Sequence, residues 1–141
     1  MTNHVENEHL IRRYYDAMNA RDFDIVWSCF ADDLVYTDTA MGESFDSLET
    51  FKTFYMDTML PLDVSLTMEQ LITTDTSYAV TNRFNGKHVA DFPGLPKTGR
   101  SFSVPSASIG TIENGKIKTN TDYWNLQDLL IQLGFVEAPA E

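Results

Sequence analysis

The second half of the chain, residues 62 to 124, is a nearly unbroken run of strand-forming sequence cut at three places by turn residues, and no other feature constrains the fold as much. The segments 62–74, 77–90, 100–112 and 116–124 are separated by Asp75, by the Pro/Gly loop "DFPGLPKTG" and by "ENGK". Asn114-Gly115 suits a two-residue hairpin, because a type I′ turn needs positive φ at both central positions. Strands in close succession pair antiparallel, so this half predicts a meander of long strands. A strongly curved sheet of that kind, wrapped around helices, forms a cone with one open end, and such a cone is a pocket.

The first half supplies the helices. Asn3 followed by Glu6 has a capping-box pattern, and Leu10, Ile11, Tyr14, Tyr15 and Met18 recur at helical spacing, which predicts a helix over about 4–20. Asp22 caps a short second helix with Phe23, Val26, Trp27 and Phe30 on one face, ending near Ala31-Asp32-Asp33. A short β-rich run, "LVYTDT", follows. Ser47 then caps a third helix, striped by Leu48, Phe51, Tyr55 and Met59 and closed by Pro61. A last helix begins at Asn125, carries Leu126, Leu129, Leu130 and Leu133, and ends at Gly134. With 141 residues and no internal repeat or linker, residues 1–141 read as a single domain. The expected fold is α+β: a cone-shaped, curved, mostly antiparallel sheet with three N-terminal helices across its concave face, enclosing an apolar pocket.

Ten Lys and Arg against 21 Asp and Glu give a net charge of −11, which repels nucleic acid and anionic membrane surfaces. No stretch approaches the roughly 20 apolar residues of a membrane span. The start, "MTNHVENEHL", has neither the basic nor the apolar region of a secretory signal, so the expected location is cytoplasmic. Cys29, the single cysteine, excludes an intramolecular disulfide and reads as a small core residue. His4, His9 and His88 form no paired-ligand motif, so no metal is expected.

Removing a proton next to a carbonyl requires a carboxylate raised in pKa by apolar surroundings and a donor aimed at the oxygen that becomes negative. Asp38, near Tyr36, Trp27, Phe54 and Tyr55, meets the first requirement if the cone encloses it, and Tyr14 the second. Asp122, alternating with Asn120 and Trp124 on one strand face, is a second carboxylate, with His88 as its acid partner or as a donor to substrate. Structural roles stand beside these. Asp38 could bond the turn that follows it, Tyr14 and Tyr55 could be packing residues, and Asp122 could be a solvated residue near Lys118. His88 could be structural, and Arg83 could pair with a carboxylate whether or not chemistry occurs.

The stretch "RYYDAMNARDFDIVWSCFADDLVYTDTAMG", with "FKTFYMDTML" after it, resembles the first half of the nuclear transport factor 2-like superfamily, and within it the ketosteroid isomerases. That resemblance implies a cystatin/nuclear transport factor 2-like roll that usually dimerises through its outer sheet face. It also implies a proton-shuttling Asp38, a Tyr14 bonded to the enolate oxygen and a Tyr55 supporting Tyr14. Ser108 falls where those isomerases carry a protonated aspartate. The second half, "FNGKHVADFPGLPKTGRSF" and "GKIKTNTDYWNLQDLLIQLG", is similar to the SnoaL-like polyketide cyclases and ester cyclases. These close a ring by intramolecular aldol condensation with an acidic residue near the last strand, a role that falls to Asp122, with Asn125 nearby. "RFN" and "DYWN" are also similar to limonene epoxide hydrolase, whose Asp-Arg-Asp set would map to Arg83 and Asp122, but Asn85 replaces the second aspartate and cannot take a proton from water.

The expected function is therefore cofactor-independent proton transfer next to a carbonyl, by cyclisation or isomerisation, on a hydrophobic polyketide- or steroid-like molecule, by a homodimer. Asp122, Asp38, Tyr14 and His88 are the catalytic candidates. Tyr55, Arg83, Asn85, Trp27, Tyr36, Ser108, Trp124 and Asn125 are the substrate-binding ones. The alternative from a different class is a domain that binds a small molecule or a second copy without catalysis.

Overall fold

The structure is a computed structural model that describes residues 3–92 and 94–139. Helix α1 (Asn3–Ala20) already contains Asn3 and turns Leu10, Ile11, Tyr15, Ala17 and Met18 inward. Arg21, at φ 61, breaks it, and the Asp22 side chain then accepts the Ile25 N–H to cap α2 (Phe23–Ser28). Helix α2 is shorter than its apolar spacing predicts, and β1 (Phe30–Asp38) starts at Phe30 instead of beyond Asp33. The cause is a long-range strand pairing: the Cys29 carbonyl accepts the Ile117 N–H at 2.8 Å, and Phe30 lies beside Ile117. Cys29 is fully buried, as a core residue.

Strand β2 (Glu43–Phe45) was not signalled by the sequence, since two of its three residues are exposed and polar. Ser47 caps α3 (Leu48–Phe54) as expected, but the helix widens into a π turn over Tyr55–Met59, with the Leu60 N–H bonded to the Tyr55 carbonyl, before a 3-10 turn at Leu60–Leu62. Pro61 accounts for the change: it has no N–H, and its ring would clash with the carbonyl four residues earlier in a regular helix.

The meander follows as β3 (Ser65–Thr73), β4 (Ser77–Lys87), β5 (Ser101–Glu113) and β6 (Lys116–Trp124), and α4 (Leu126–Leu133) closes the fold between the Asn125 cap and Gly134. Asn114 and Gly115 have φ 53 and 72, as a type I′ hairpin requires. The sheet is open and mixed, in the order β2-β1-β6-β5-β4-β3, and every pairing is antiparallel except β1 with β6.

Two apolar clusters fill the concave side. The larger joins α1, α2 and α3 to the sheet through residues such as Ile11, Met18, Val26, Phe30, Leu34 and Phe51. The smaller packs Leu129 and Leu133 of α4 over Phe84, Phe102 and Val104. On the opposite face Ile72, Ile109 and Tyr123 are exposed. Among the described residues no helix is long and apolar enough to cross a membrane.

Candidate active site

The period of two along the strands decides which side chains enter the concave space. On β4 it turns Tyr78, Val80, Asn82 and Phe84 inward, and on β6 it does so for Asn120, Asp122 and Trp124. With Tyr14, Tyr15 and Met18 from α1, Tyr36 and Asp38 from β1, and Phe54, Tyr55 and Met59 from the α3 segment, they enclose a cavity of about 50 Å³. That holds a few water molecules, and the flexible Met59 side chain is one wall that can move to admit more.

Asp122 is the centre of the polar network. Its Oδ1 accepts Ser108 Oγ–H at 2.6 Å and Asn120 Nδ2–H at 2.7 Å, and its Oδ2 accepts the Tyr36 hydroxyl. Tyr78 in turn donates to Asn120 Oδ1 and passes over Gly110, where a Cβ would come within 2.6 Å of the tyrosine oxygen. Burial pushes the Asp122 carboxyl up and the three hydrogen bonds pull it down, while the Asp38 charge adds a smaller upward push; the balance is about 6 against an ordinary 3.8. Oδ1 already accepts two bonds and Oδ2 only one, so Oδ2 has the capacity left to take a proton.

Asp38 lies beside Asp122 in the parallel register and is buried, but its oxygens are committed. Trp124 Nε1–H donates to both, at 3.0 and 3.2 Å, and the Met41 N–H donates to Oδ1 at 3.0 Å. Burial raises its pKa, and the donors from Met41 and Trp124 oppose the rise. Asp38 thus holds the turn after β1 and fixes Trp124, whose indole stacks on Phe84 at 5.4 Å.

Tyr14 lines the cavity with its ring edge-on to Phe30 and Tyr15, and its hydroxyl makes no hydrogen bond to a described residue. Burial, and then the Asp122 charge, raise its pKa well above the ordinary range, so it stays protonated as a donor. Tyr55 does not support Tyr14: its hydroxyl faces Met18 Sδ at 2.9 Å, and burial pushes it up to about 12.

Several sequence candidates lie elsewhere. His88 is fully buried but outside the cavity; its Nδ1 accepts the Thr98 N–H at 3.2 Å and lies 3.0 Å from Thr98 Oγ1, so it pins the loop that carries the Pro/Gly motif. Arg83 and Asn85 point to the other sheet face, one residue out of phase with Asn82 and Phe84. Among the described residues Arg83 pairs with no carboxylate and instead donates to Ser103 Oγ and O, both at 2.9 Å, while Asn85 Oδ1 accepts Ser103 Oγ–H at 2.6 Å. Trp27 packs between Phe23, Phe51 and Tyr55 outside the cavity. Asn125 is an exposed helix cap that accepts the Asp128 N–H. Lys118 engages Asp33, so Asp122 is not its solvated partner. Tyr15, Tyr78 and Asn82 were not expected; the signal for the last two was the inward row of β4, in which Asn82 interrupts apolar residues.

A carboxyl raised in the folded state binds protons more tightly there than in the unfolded chain. Asp122 therefore costs no stability below about pH 4 and lowers it as pH rises toward 6. Melting temperatures of wild type and Asp122→Asn should show the variant gaining on wild type between pH 4 and 7, and a constant difference would contradict the raised pKa.

An open mixed sheet with helices on its concave face and a polar network at the bottom of an apolar cavity defines a ketosteroid isomerase-like roll. A protein from Catenulispora acidiphila with that fold, in complex with trimethylamine, matches with TM-score 0.75 and 19% identity over 92% of this chain and 97% of that one. The candidate hydroxylase AclR from Streptomyces galilaeus matches with TM-score 0.81 and 19% identity over 98% and 87%. A candidate polyketide cyclase from Silicibacter sp. TM1040 matches with TM-score 0.82 and 28% identity over 98% and 99%. The sequence profile of the SnoaL-like polyketide cyclases covers residues 8–133, and the chain belongs to that family.

Proposed function

We propose that the protein moves a proton at a carbon next to a carbonyl in a hydrophobic polyketide- or steroid-like molecule, with Asp122 as the base and the Tyr14 hydroxyl as donor to the carbonyl oxygen. The observation that carries this reading is a carboxyl with a pKa of about 6 in an apolar cavity, facing space that also holds an uncommitted tyrosine hydroxyl. Near neutral pH Asp122 is mostly ionised and still basic enough to accept a proton. Its Oδ2 takes the α-proton, and the enolate oxygen accepts the Tyr14 hydrogen bond. In a ring closure the enolate carbon attacks a second carbonyl of the same molecule, and the alkoxide so formed takes the proton back from Asp122. In a double-bond shift the proton returns to the γ-carbon instead. Family membership favours the ring closure. The cavity in its closed form is smaller than such a substrate, so binding requires Met59 and its neighbours to move.

Deuterium uptake from D2O into 2-tetralone, followed by NMR, tests the proton transfer without knowledge of the substrate. The wild-type rate should rise with pH to a plateau, with a midpoint near 6. Uptake no faster than in buffer alone would sink the reading and leave a binding domain.

A further inference from the structure

Asp122 has to carry its charge with no cation near it. The titratable groups that face it are Asp38 and Tyr36 on β1, Tyr14 and Tyr15 on α1, and Tyr78 on β4. Among the described residues no Lys, Arg or His lines the cavity. Burial raises the pKa of all four tyrosines, so they are uncharged at neutral pH and act only as hydrogen-bonding groups. Hydrogen bonds are therefore what hold the carboxylate in its charged form, and its three donors are not equivalent. The Ser108 and Tyr36 hydroxyls can turn from donor to acceptor when Asp122 is protonated, and so suit both forms. The amide nitrogen of Asn120 only donates, and it favours the charged form for as long as the amide keeps its orientation.

The sheet register supplies the group that fixes it. Tyr78, Gly110 and Asn120 form one row across β4, β5 and β6, and Val80, Ser108 and Asp122 form the next inward row. Gly110 has no side chain, so the Tyr78 ring crosses the middle strand and its hydroxyl reaches Asn120 Oδ1. Tyr78 is 4% exposed and Asn120 5%, and the Tyr78 hydroxyl makes no other hydrogen bond to a described residue. Turning the Asn120 amide over would make Tyr78 an acceptor, leave its own buried O–H unpaired, and set the amide oxygen against the carboxylate. Resting on the proton-transfer reading of the site, we infer that Tyr78 is a positioning residue for the base: acting through Asn120, it keeps an N–H on Asp122 Oδ1, which holds the carboxylate charged and leaves Oδ2 as the oxygen that takes the proton. The bond from Tyr78 also polarises the amide, so that Asn120 donates more strongly than it would alone. Gly110 belongs to the same arrangement, since a Cβ there would come within 2.7 Å of Tyr78 Cζ.

The test follows the titration of Asp122 itself, by carbon-13 NMR of the aspartate carboxyls, with its signal assigned by absence in Asp122→Asn. Wild type should titrate near 6. Tyr78→Phe, which removes one oxygen and keeps the ring over Gly110, should bind the proton about three- to tenfold more tightly and move the midpoint up accordingly. Asn120→Leu should tighten it about tenfold or more, and adding Tyr78→Phe to Asn120→Leu should change it by less than about twofold, because Tyr78 then has nothing to act through. The pH profile of 2-tetralone exchange should move with the carboxyl in Tyr78→Phe. A tyrosine that only packs would leave both midpoints in place. An unmoved or lowered midpoint in Tyr78→Phe, or the same rise with and without Asn120, would each overturn the inference, and Tyr78→Phe alone decides if Asn120→Leu does not fold. Failure of the 2-tetralone exchange in wild type, with the Asp122 midpoint still moved by Tyr78→Phe, would remove the proton-transfer reading and leave the coupling standing; exchange in wild type with no movement in Tyr78→Phe would do the reverse.

Discussion

Asp122→Asn should lower the rate of carbon deprotonation by about a thousandfold, within the range usual for loss of a general base, with the fold retained. The amide has nearly the shape of the carboxyl, and its oxygen can still accept from Ser108 and Asn120, but it cannot take a proton. Tyr36 can turn from donor to acceptor opposite the new amide nitrogen. Asp38→Asn is the necessary contrast. Its carboxylate serves the Met41 N–H and the Trp124 indole, so its loss should disturb the turn and the Trp124 position and change the rate by less than about tenfold. Deuterium uptake into 2-tetralone measures both, with near-ultraviolet circular dichroism as the check on folding. A thousandfold loss in Asp38→Asn with little change in Asp122→Asn would move the base to β1.

The second large effect is on stability. Phe51 is 1% exposed and stacks on Tyr36 with ring centroids 4.0 Å apart, with Phe30 edge-on at 5.5 Å and Trp27 at 6.1 Å. Phe51→Ala should cost about 3–5 kcal/mol, because the rings around it, from α2, β1 and β2 as well as the α3 segment itself, cannot all close on the void. For a chain of this length that is a fall in melting temperature on the order of 10–20 °C. A shift under about 3 °C would show that this cluster does not anchor α3. The same change loosens Tyr36, whose hydroxyl holds Asp122 Oδ2, so residual activity should fall by more than the loss of folded protein explains.

The architecture was legible because it rests on local signals: helical spacing in α1, the caps at Asp22, Ser47 and Asn125, and positive φ at Asn114-Gly115. The boundary of α2 was not, because the pairing of Phe30 with Ile117 overrides local preference and no window around Phe30 contains its partner. The π turn was not, although Pro61 marked where the helix had to change. In the site, Asp122, Asp38, Tyr14, Tyr36, Tyr55, Ser108 and Trp124 do line one cavity. His88, Arg83 and Asn85 were drawn in by motif and not by phase. A one-residue shift along β4 turns a side chain to the other face, and Asn82, between Arg83 and the row of Val80, had the phase but no motif.

The parallel pairing of β1 with β6 has a consequence in time. Tyr36 and the aspartate it binds are separated by 86 positions, and the strand that carries Asp122 is the last to be made. While the ribosome is still adding residues before it, the helices and the earlier strands can gather into an apolar cup that holds Asp38 but not Asp122. The group that destabilises the interior when charged arrives only when β6 slots between β1 and β5, so closure of the sheet and arming of the site are a single event.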